Sequence, residues 1–228
     1  MELLTWQIVW RSEKTALAMA LPQQILTVAP AFTHQNLPPE VGLLLPSLPG
    51  ARQLVNYISD RPLDLTQSII GLFLADPFFA VAREKGVLDR ANASWVTNLP
   101  SVAQQDPGFF HQLADVGLDQ ELELERLAAL KDLGVRIAIT VVDGPSTAKA
   151  LALEPAALFV VPRVSDFAAG FPSLRQRGAA AQQVAEAAKG AGWEGPIVGL
   201  SGPSEAAYER QWPTVLSGVL CRPRPKPG

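Results

Sequence analysis

The chain has 228 residues, of which 48% are hydrophobic and 18% are charged, a balance that excludes a disordered chain and suits one α/β domain. The formal net charge of -3 is small and spread along the sequence, so it gives no reason to expect nucleic acid or an anionic membrane as a partner. The single cysteine, Cys221, cannot form an internal disulfide, and the apolar stretch from Leu3 to Trp10 ends without a small-residue cleavage site. We therefore expect a cytoplasmic protein.

Nine apolar, β-rich runs are candidate strands. In chain order they are Thr5–Trp10, Gln24–Ala29, Val41–Leu45, Ile69–Ala75, Ala93–Asn98, Arg136–Val142, Ala157–Val161, Pro196–Leu200 and Ser217–Cys221. Their continuous apolarity is typical of strands buried on both faces, as in a parallel sheet. A proline follows closely after every run but the first, which marks strand ends and helix starts. Because Val41–Leu45 lies between prolines, we expect loop or edge structure there.

Two helices are clear from the sequence. The segment Asp119–Leu133 has acids in its first turns, Lys131 in its last and Gly134 as a stop, as helix-dipole and C-cap preferences require. We expect its acids to form a solvated face. The alanine-rich segment Leu174–Lys189 predicts a second helix, with its arginines, Arg177 among them, facing water.

The alternation of strands and helices predicts an α/β fold, and specifically a (β/α)8 TIM barrel. Residues 1–221 would form this single domain, with a degenerate N-terminal third, and residues 222–228 a flexible, basic, proline-rich tail. An open, doubly wound sheet is the competing architecture, because periodicity does not distinguish closure of the sheet.

Two local motifs suggest chemistry that the rest of the sequence does not support. The stretch IVGLSGP, with Ser201, is close to the nucleophile elbow G-x-S-x-G, but no histidine follows Ser201 to complete a hydrolase triad. A formal G-x-G-x-x-G at Gly190–Gly195 follows a helix and precedes a strand, the reverse of a dinucleotide-binding fingerprint.

Polar residues at the carboxyl ends of the predicted strands form the candidate site. They are Asp76, Asn98, Asp143, Arg163, Ser201 and Arg222. In a barrel these ends converge on one mouth, where active sites lie. The carboxylates of Asp76 and Asp143 could hold Mg²⁺ through water, Asp76 being the metal-linked residue. Anion binding is predicted for Arg163, Ser201, Gly202 and Arg222.

Structural roles compete with these functional ones. Asp76, Asn98 and Asp143 also suit turns or helix N-caps. Arg163 could pair with Asp166 on the surface. His111, beside two phenylalanines, suits a partly buried structural residue better than a general base.

Three segments, Gly71–Phe79, Trp95–Val102 and Gly117–Lys131, carry a family resemblance. The matching residues are Asp76, Pro77, Phe78, Asn98, Pro100, Gly117, Asp119, Glu121, Glu123 and Arg126. In order and spacing the chain resembles the phosphoenolpyruvate hydrolase-like TIM-barrel family, a relative of the phosphoenolpyruvate mutase and isocitrate lyase superfamily. Where members of that family tend to carry histidines after strands six and seven, this chain has Pro162–Arg163 and Leu200–Ser201.

The resemblance implies a homo-oligomeric barrel that binds a small anionic metabolite, either a keto acid or a phosphorylated keto acid. Two functions follow as expectations. The first is a Mg²⁺-assisted lyase or hydrolase, with Asp76 as the metal-linked or acid/base group and Asn98 and Asp143 positioning substrate. The second is a catalytically degenerate barrel that acts as a binding or assembly partner, as the missing histidines indicate.

Overall fold

A computed structural model of the chain describes residues 3–14, 16, 20–28, 38–44, 50–60, 63–202 and 204–223. Eight strands form a closed barrel in chain order. They are β1 (Leu3–Trp10), β2 (Gln24–Val28), β3 (Ser68–Gly71), β4 (Trp95–Thr97), β5 (Arg136–Val141), β6 (Ala157–Val160), β7 (Ile197–Ser201) and β8 (Gly218–Cys221). The closed barrel with its helices confirms the α/β class, and the alternative of an open sheet is wrong.

The first strand departs from the parallel pattern predicted for the sheet. Strands β2 to β8 pair in parallel, whereas β1 is antiparallel to both β2 and β8. In β1, Trp6 and Ile8 are buried while Gln7 and Val9 are exposed. This alternation is typical of an antiparallel strand with one solvated face, and it distinguishes β1 from the continuously buried strands.

Seven α-helices accompany the strands in the described part of the chain. They are α1 (Pro39–Gly42), α2 (Gly50–Ser59), α3 (Val81–Arg90), α4 (Pro107–Asp115), α5 (Gln120–Asp132), α6 (Gly144–Leu151) and α7 (Leu174–Gly190). The candidate run Val41–Leu45 is not a strand: Val41 and Gly42 end α1, and a turn follows. None of the described helices is long and apolar enough to cross a membrane.

The strands divide the apolar core into two layers. Alternate residues such as Ile25, Trp95 and Phe159 fill the inside of the barrel. Their neighbours, such as Ile70 and Val96, pack outward against the helices. The direction of any side chain at the end of a strand follows from this alternation.

The helix predicted over Asp119–Leu133 is confirmed as α5. Asp119 is its N-cap and accepts a hydrogen bond from the Leu122 amide at 2.9 Å. The stop is Gly134, whose φ of 86° is a conformation that glycine adopts without strain. The expectation of a solvated acidic face is wrong for Glu123, which is fully buried.

The helix predicted over Leu174–Lys189 is confirmed as α7. Arg177 does not face water as expected, because it lies on the same stripe as the buried Ala181 and Val184. Its guanidinium donates to the carbonyl of Leu200 at 2.6 Å and to both carboxylate oxygens of Glu205 at 2.8 Å.

Candidate functional site

The mouth of the barrel is covered by the segment 38–44. At one end of this segment Glu40 pairs with Arg222, just after β8. At its other end the carbonyl of Leu44 accepts a hydrogen bond from Gln105, after β4, at 3.4 Å. Strands β4 and β8 lie on opposite sides of an eight-stranded barrel, so the segment crosses the mouth.

Apolar side chains pack beneath this cover. Val41 and Leu43 contact the cluster that fills the barrel, and so do Phe167 and Phe171 from the β6–α7 connection. The axis of the barrel is therefore closed by apolar packing. An accessible site has to lie on the rim, outside the cover.

Arg222 and Glu40 form the polar contact of the cover. The guanidinium donates from Nε to Oε1 of Glu40 at 2.6 Å and from Nη2 to Oε2 at 3.1 Å. Burial raises the pKa of Glu40, and the charge of Arg222 opposes this shift. The Arg222 guanidinium also lies 4.5 Å from the ring centre of Phe171. Arg222, predicted to bind an anion, is thus already paired; residues 224–228 of the predicted tail lie outside the described residues.

Ser201 and Gly202 do not form an open anion cup. By alternation with Leu200, which faces into the barrel, Ser201 points outward toward α7. Its hydroxyl donates to the carbonyl of Gly202 at 3.1 Å. The Gly202 amide donates to the carboxylate of Glu205 at 2.8 Å. The donor predicted for a ligand is therefore held by an acid of the chain itself.

Asp76 lies in the turn after β3. Its Oδ1 accepts from the Phe78 amide at 2.8 Å, an Asx-turn contact. The backbone carbonyl of Asp76 accepts from Arg126 at 2.6 Å. Arg126 and Arg83 both lie close enough to interact electrostatically with this carboxylate.

Asn98 is fully buried and joins β4 to β5. Its Oδ1 accepts from the Thr140 amide at 2.8 Å, and its Nδ2 donates to Glu123 at 3.2 Å and to Ser101 at 3.1 Å. These contacts place Asn98 inside the scaffold, away from the surface where a substrate would arrive.

Glu123 is the acceptor at the centre of this network. It accepts from the Ser101 hydroxyl at 2.6 Å and from the Val102 amide at 3.0 Å, in addition to Asn98. Burial raises its pKa to about 7, although these hydrogen bonds oppose the shift. The network holds the start of the β4–α4 connection against α5.

Asp143 and Arg163 come together at the ends of β5 and β6. Oδ1 of Asp143 caps α6 by accepting from the Ser146 amide at 2.9 Å, which confirms the N-cap alternative. Its Oδ2 accepts from the Arg163 guanidinium. Burial alone would raise the pKa of Asp143, but the hydrogen bonds from Ser146 and Arg163 and the charge of Arg163 outweigh it, so the pKa lies below its usual value. The surface partner expected for Arg163, Asp166, accepts only from its backbone amide.

Asp143 and Arg163 line an open cleft of about 250 Å³ between α4, α5 and α6. Its polar lining is Gln105, His111, Gln120, Asp143, Ser146, Lys149 and Arg163. Lys149 is 51% exposed and pairs with Glu121 at 3.3 Å. His111 is exposed and meets the edge of Phe110, so it is not the partly buried residue expected.

The described residues do not assemble a magnesium site around Asp76. No group of three or more histidine, cysteine, aspartate or glutamate side chains is placed to hold a metal in the described ranges. One oxygen of Asp76 serves the turn, and two arginines lie nearby. Cations beside a carboxylate oppose the binding of another cation, so this surrounding does not fit Mg²⁺.

Sequence reasoning missed four residues that shape the rim: Glu40, Gln120, Glu123 and Arg177. Three of them carried a signal, since each lies on the same helical stripe as buried apolar residues. Gln120 and Glu123 align with Leu127 and Leu130 on α5. The sequence around Glu40 gives no such signal, because its partner, Arg222, lies 182 residues away.

Comparisons with known proteins leave the family of the chain open. No protein-family model matches it, and no curated protein sequence matches it either. The similar solved structures include nitroalkane oxidase from Streptomyces ansochromogenes, at 12% identity and a TM-score of 0.33. The match covers 65% of this chain and 46% of that one. A likeness this weak shows neither the fold nor the function of the protein.

Proposed function

We propose that the protein binds a small anionic metabolite, a keto acid or phosphorylated keto acid, in the cleft at the carboxyl ends of β5 and β6. One observation carries the proposal: the cleft is open and is lined by two cationic side chains, Lys149 and Arg163, against one carboxylate, Asp143. Carboxylate and phosphate groups favour such a lining. Arg177 and Arg222 elsewhere on the rim do not offer it, because each is held by two hydrogen bonds to a carboxylate.

Arg163 can bind an anion without disturbing the fold. Within the described residues its guanidinium donates through Nη2 to Asp143, which leaves N–H donors for a ligand. Among the described residues, Lys149 pairs with Glu121 in an exposed ion pair. Exposed pairs contribute little free energy, so a ligand can displace this one at small cost.

We favour a binding role over catalysis. The three residues predicted to be catalytic are held by the scaffold: Asp76 by a turn, Asn98 by the Glu123 network and Asp143 by the α6 cap. The chain would then be a divergent, catalytically degenerate relative of the phosphoenolpyruvate hydrolase-like TIM barrels, with β1 reversed. Its cytoplasmic location and homo-oligomeric state stay predictions from the sequence.

A lyase or hydrolase acting on the same ligand is the second candidate. One observation favours it: His111 is exposed in the cleft that holds Asp143. An imidazole beside a bound keto acid is a group of the kind that acts as a general acid or base.

Thermal-shift assays with oxaloacetate and phosphoenolpyruvate, each with and without Mg²⁺, test both candidates. A ligand that binds in the cleft raises Tm by mass action. At a ligand concentration of 100 times Kd, it stabilises the folded protein by about 2.7 kcal/mol. The variant Arg163→Leu should lose this response. Arg175→Leu makes the same charge change at an exposed position of α7 and should keep it.

The outcomes separate the alternatives. A flat response of the wild-type protein to both acids contradicts the proposed function. In a separate assay of turnover of the two acids, product formation that is lost in His111→Gln would favour the enzyme over the degenerate barrel.

A further inference from the structure

One part of the cleft wall is apolar and open to solvent. Pro107 and Phe110 of α4 and Pro145 of α6 line the cleft. The two prolines are exposed and Phe110 is half-buried, so each presents surface that a ligand can reach. Such a wall favours an apolar ligand group, because both surfaces leave water when they meet.

Helix geometry turns Phe110 toward the cleft. It lies three residues after Pro107 and His111 lies four after it, so the three share one face of α4. All three line the cleft. The neighbouring Phe109 falls on another face, where it is 44% exposed and does not line the cleft. The two phenylalanines thus differ in their access to a ligand.

The core does not account for Phe110. Within the described part of the chain, it joins neither of the two apolar layers of the barrel. Its ring meets the exposed His111 edge-on, with 6.1 Å between the ring centres. Aromatic side chains contribute most when they are buried. A ligand in the cleft would bury the part of Phe110 that the fold leaves open.

The charged side chains of the cleft suit a single anionic group. Lys149 and Arg163 supply two cations to the described lining and Asp143 one carboxylate, an excess of one positive charge. A second carboxylate on the ligand would meet Asp143 or the apolar wall, and a charge against apolar surface loses hydration without gaining a partner. The volume of about 250 Å³ approaches the roughly 300 Å³ at which pockets for drug-sized ligands begin, so room remains beside the carboxylate.

We propose that the ligand of the cleft is a keto acid with one carboxylate and an apolar side chain, and that Phe110 selects this side chain. This inference rests on the proposed function. The carboxylate pairs with Arg163 and Lys149, and the apolar side chain packs on Phe110 and the two prolines. A dicarboxylate such as oxaloacetate binds at the same place, but more weakly.

Calorimetric titration of the wild-type protein with pyruvate, phenylpyruvate and oxaloacetate tests the inference. The three acids share one keto acid group, to which phenylpyruvate adds a phenyl ring and oxaloacetate a second carboxylate. We expect phenylpyruvate to bind about tenfold more tightly than pyruvate, because part of its ring leaves water. Oxaloacetate should also bind more weakly than phenylpyruvate.

Variants of the two neighbouring phenylalanines locate the preference. In Phe110→Ala, pyruvate and phenylpyruvate should bind equally, near the affinity of pyruvate for the wild type. Phe109→Ala removes the same atoms from the next position of α4 and should keep the tenfold preference. If Phe110→Ala does not fold, Phe110→Gln provides the same test, because it makes this part of the wall polar. Arg163→Leu should weaken the binding of every acid.

Failure of this inference differs from failure of the proposed function. Three results each overturn the role of Phe110 alone: equal binding of pyruvate and phenylpyruvate by the wild type, a preference that survives in Phe110→Ala, or tighter binding of oxaloacetate than of phenylpyruvate. Phenylpyruvate binding that is undiminished in Arg163→Leu would place the ring outside the cleft, with the same consequence. Absence of binding by all three acids overturns the proposed function and the inference with it.

Discussion

Two parts of the same rim use arginines in opposite ways. Beside β7 and β8, Arg222 and Arg177 are each bound to a carboxylate, Glu40 and Glu205, through two hydrogen bonds. In the cleft beside β5 and β6, Arg163 makes one contact with a carboxylate that also serves as a helix cap. The first region closes the barrel, and the second remains open to a ligand.

The contrast teaches that position on the rim does not decide the role of a charged residue. Arg163 and Arg222 both follow parallel strands and were both predicted to bind an anion, whereas Arg177 was expected to face water. Partners contributed by distant segments separate them. Arg222 is the counter-ion of the fully buried Glu40, which must stay paired, whereas both members of the Arg163–Asp143 pair are partly exposed. Substitutions at Arg222, Glu123 and Arg163 test how firmly the scaffold holds each of these charged residues.

The largest effect is expected from Arg222→Leu. It leaves the fully buried carboxylate of Glu40 without its counter-ion, and breaking a buried pair in this way costs about 3–5 kcal/mol. Urea denaturation at pH 7 measures the loss. A loss of less than about 1 kcal/mol would mean that the cover of the mouth is not held by this pair.

A paired substitution and a change of pH sharpen that result. The double variant Glu40→Gln/Arg222→Leu has no unpaired charge and should be more stable than Arg222→Leu alone. Because burial raises the pKa of Glu40, the deficit of Arg222→Leu should also shrink in acid. Equal stability of the single and double variants would contradict the argument.

An intermediate effect is expected from Glu123→Gln. Burial raises the pKa of Glu123 from its usual 4.5 to about 7, so the folded state holds this proton more tightly than the unfolded state. The stabilisation that this bound proton provides is complete below about pH 4.5 and is lost as the pH rises through 7. Across that window the free energy of unfolding falls by at most about 1.4 kcal/mol per pH unit.

Urea titrations between pH 4 and 8 check this window. The stability of the wild-type protein relative to Glu123→Gln should fall across it. The exposed Glu121, two residues earlier, provides the control: Glu121→Gln should differ from the wild type by no more than about 0.5 kcal/mol at any pH. Parallel stability curves for the wild type and Glu123→Gln would show that Glu123 does not titrate there.

The smallest effect on stability is expected from Arg163→Leu. Its pair with Asp143 is partly exposed, and such pairs contribute about 0–1 kcal/mol. Chemical denaturation should therefore find this variant close to the wild type, although its response to oxaloacetate is lost. A loss as large as that of Arg222→Leu would place Arg163 in the scaffold.

Much of the fold could be predicted from the sequence. The eight strands and the two long helices follow from apolar runs, prolines and caps, which act locally. The direction of β1 was not predicted from continuous apolarity, although the exposed Gln7 between Trp6 and Ile8 gave a sign of it. Strand direction depends on pairing with distant segments, so a local pattern constrains it weakly.

The candidate site was less predictable than the fold. The ends of the strands were located, but the segment that covers the mouth was not, because nothing local links Glu40 to Arg222. The buried polar residues of the helices were easier to predict from the sequence. Glu123 and Arg177 each lie four residues before a buried apolar residue on the same helix, Leu127 and Ala181. A charged residue on an apolar helical stripe is unusual, so these two positions could have been singled out from the sequence.

The reversal of β1 also decides where the chain meets the rim. Leu3 pairs with Val28 at the carboxyl end of β2, and Arg222 follows β8 at the same end of the barrel. A fluorescent domain fused ahead of Leu3 would therefore begin beside the covered mouth. In a barrel of eight parallel strands, the same fusion would begin at the opposite end, a barrel's length from any ligand.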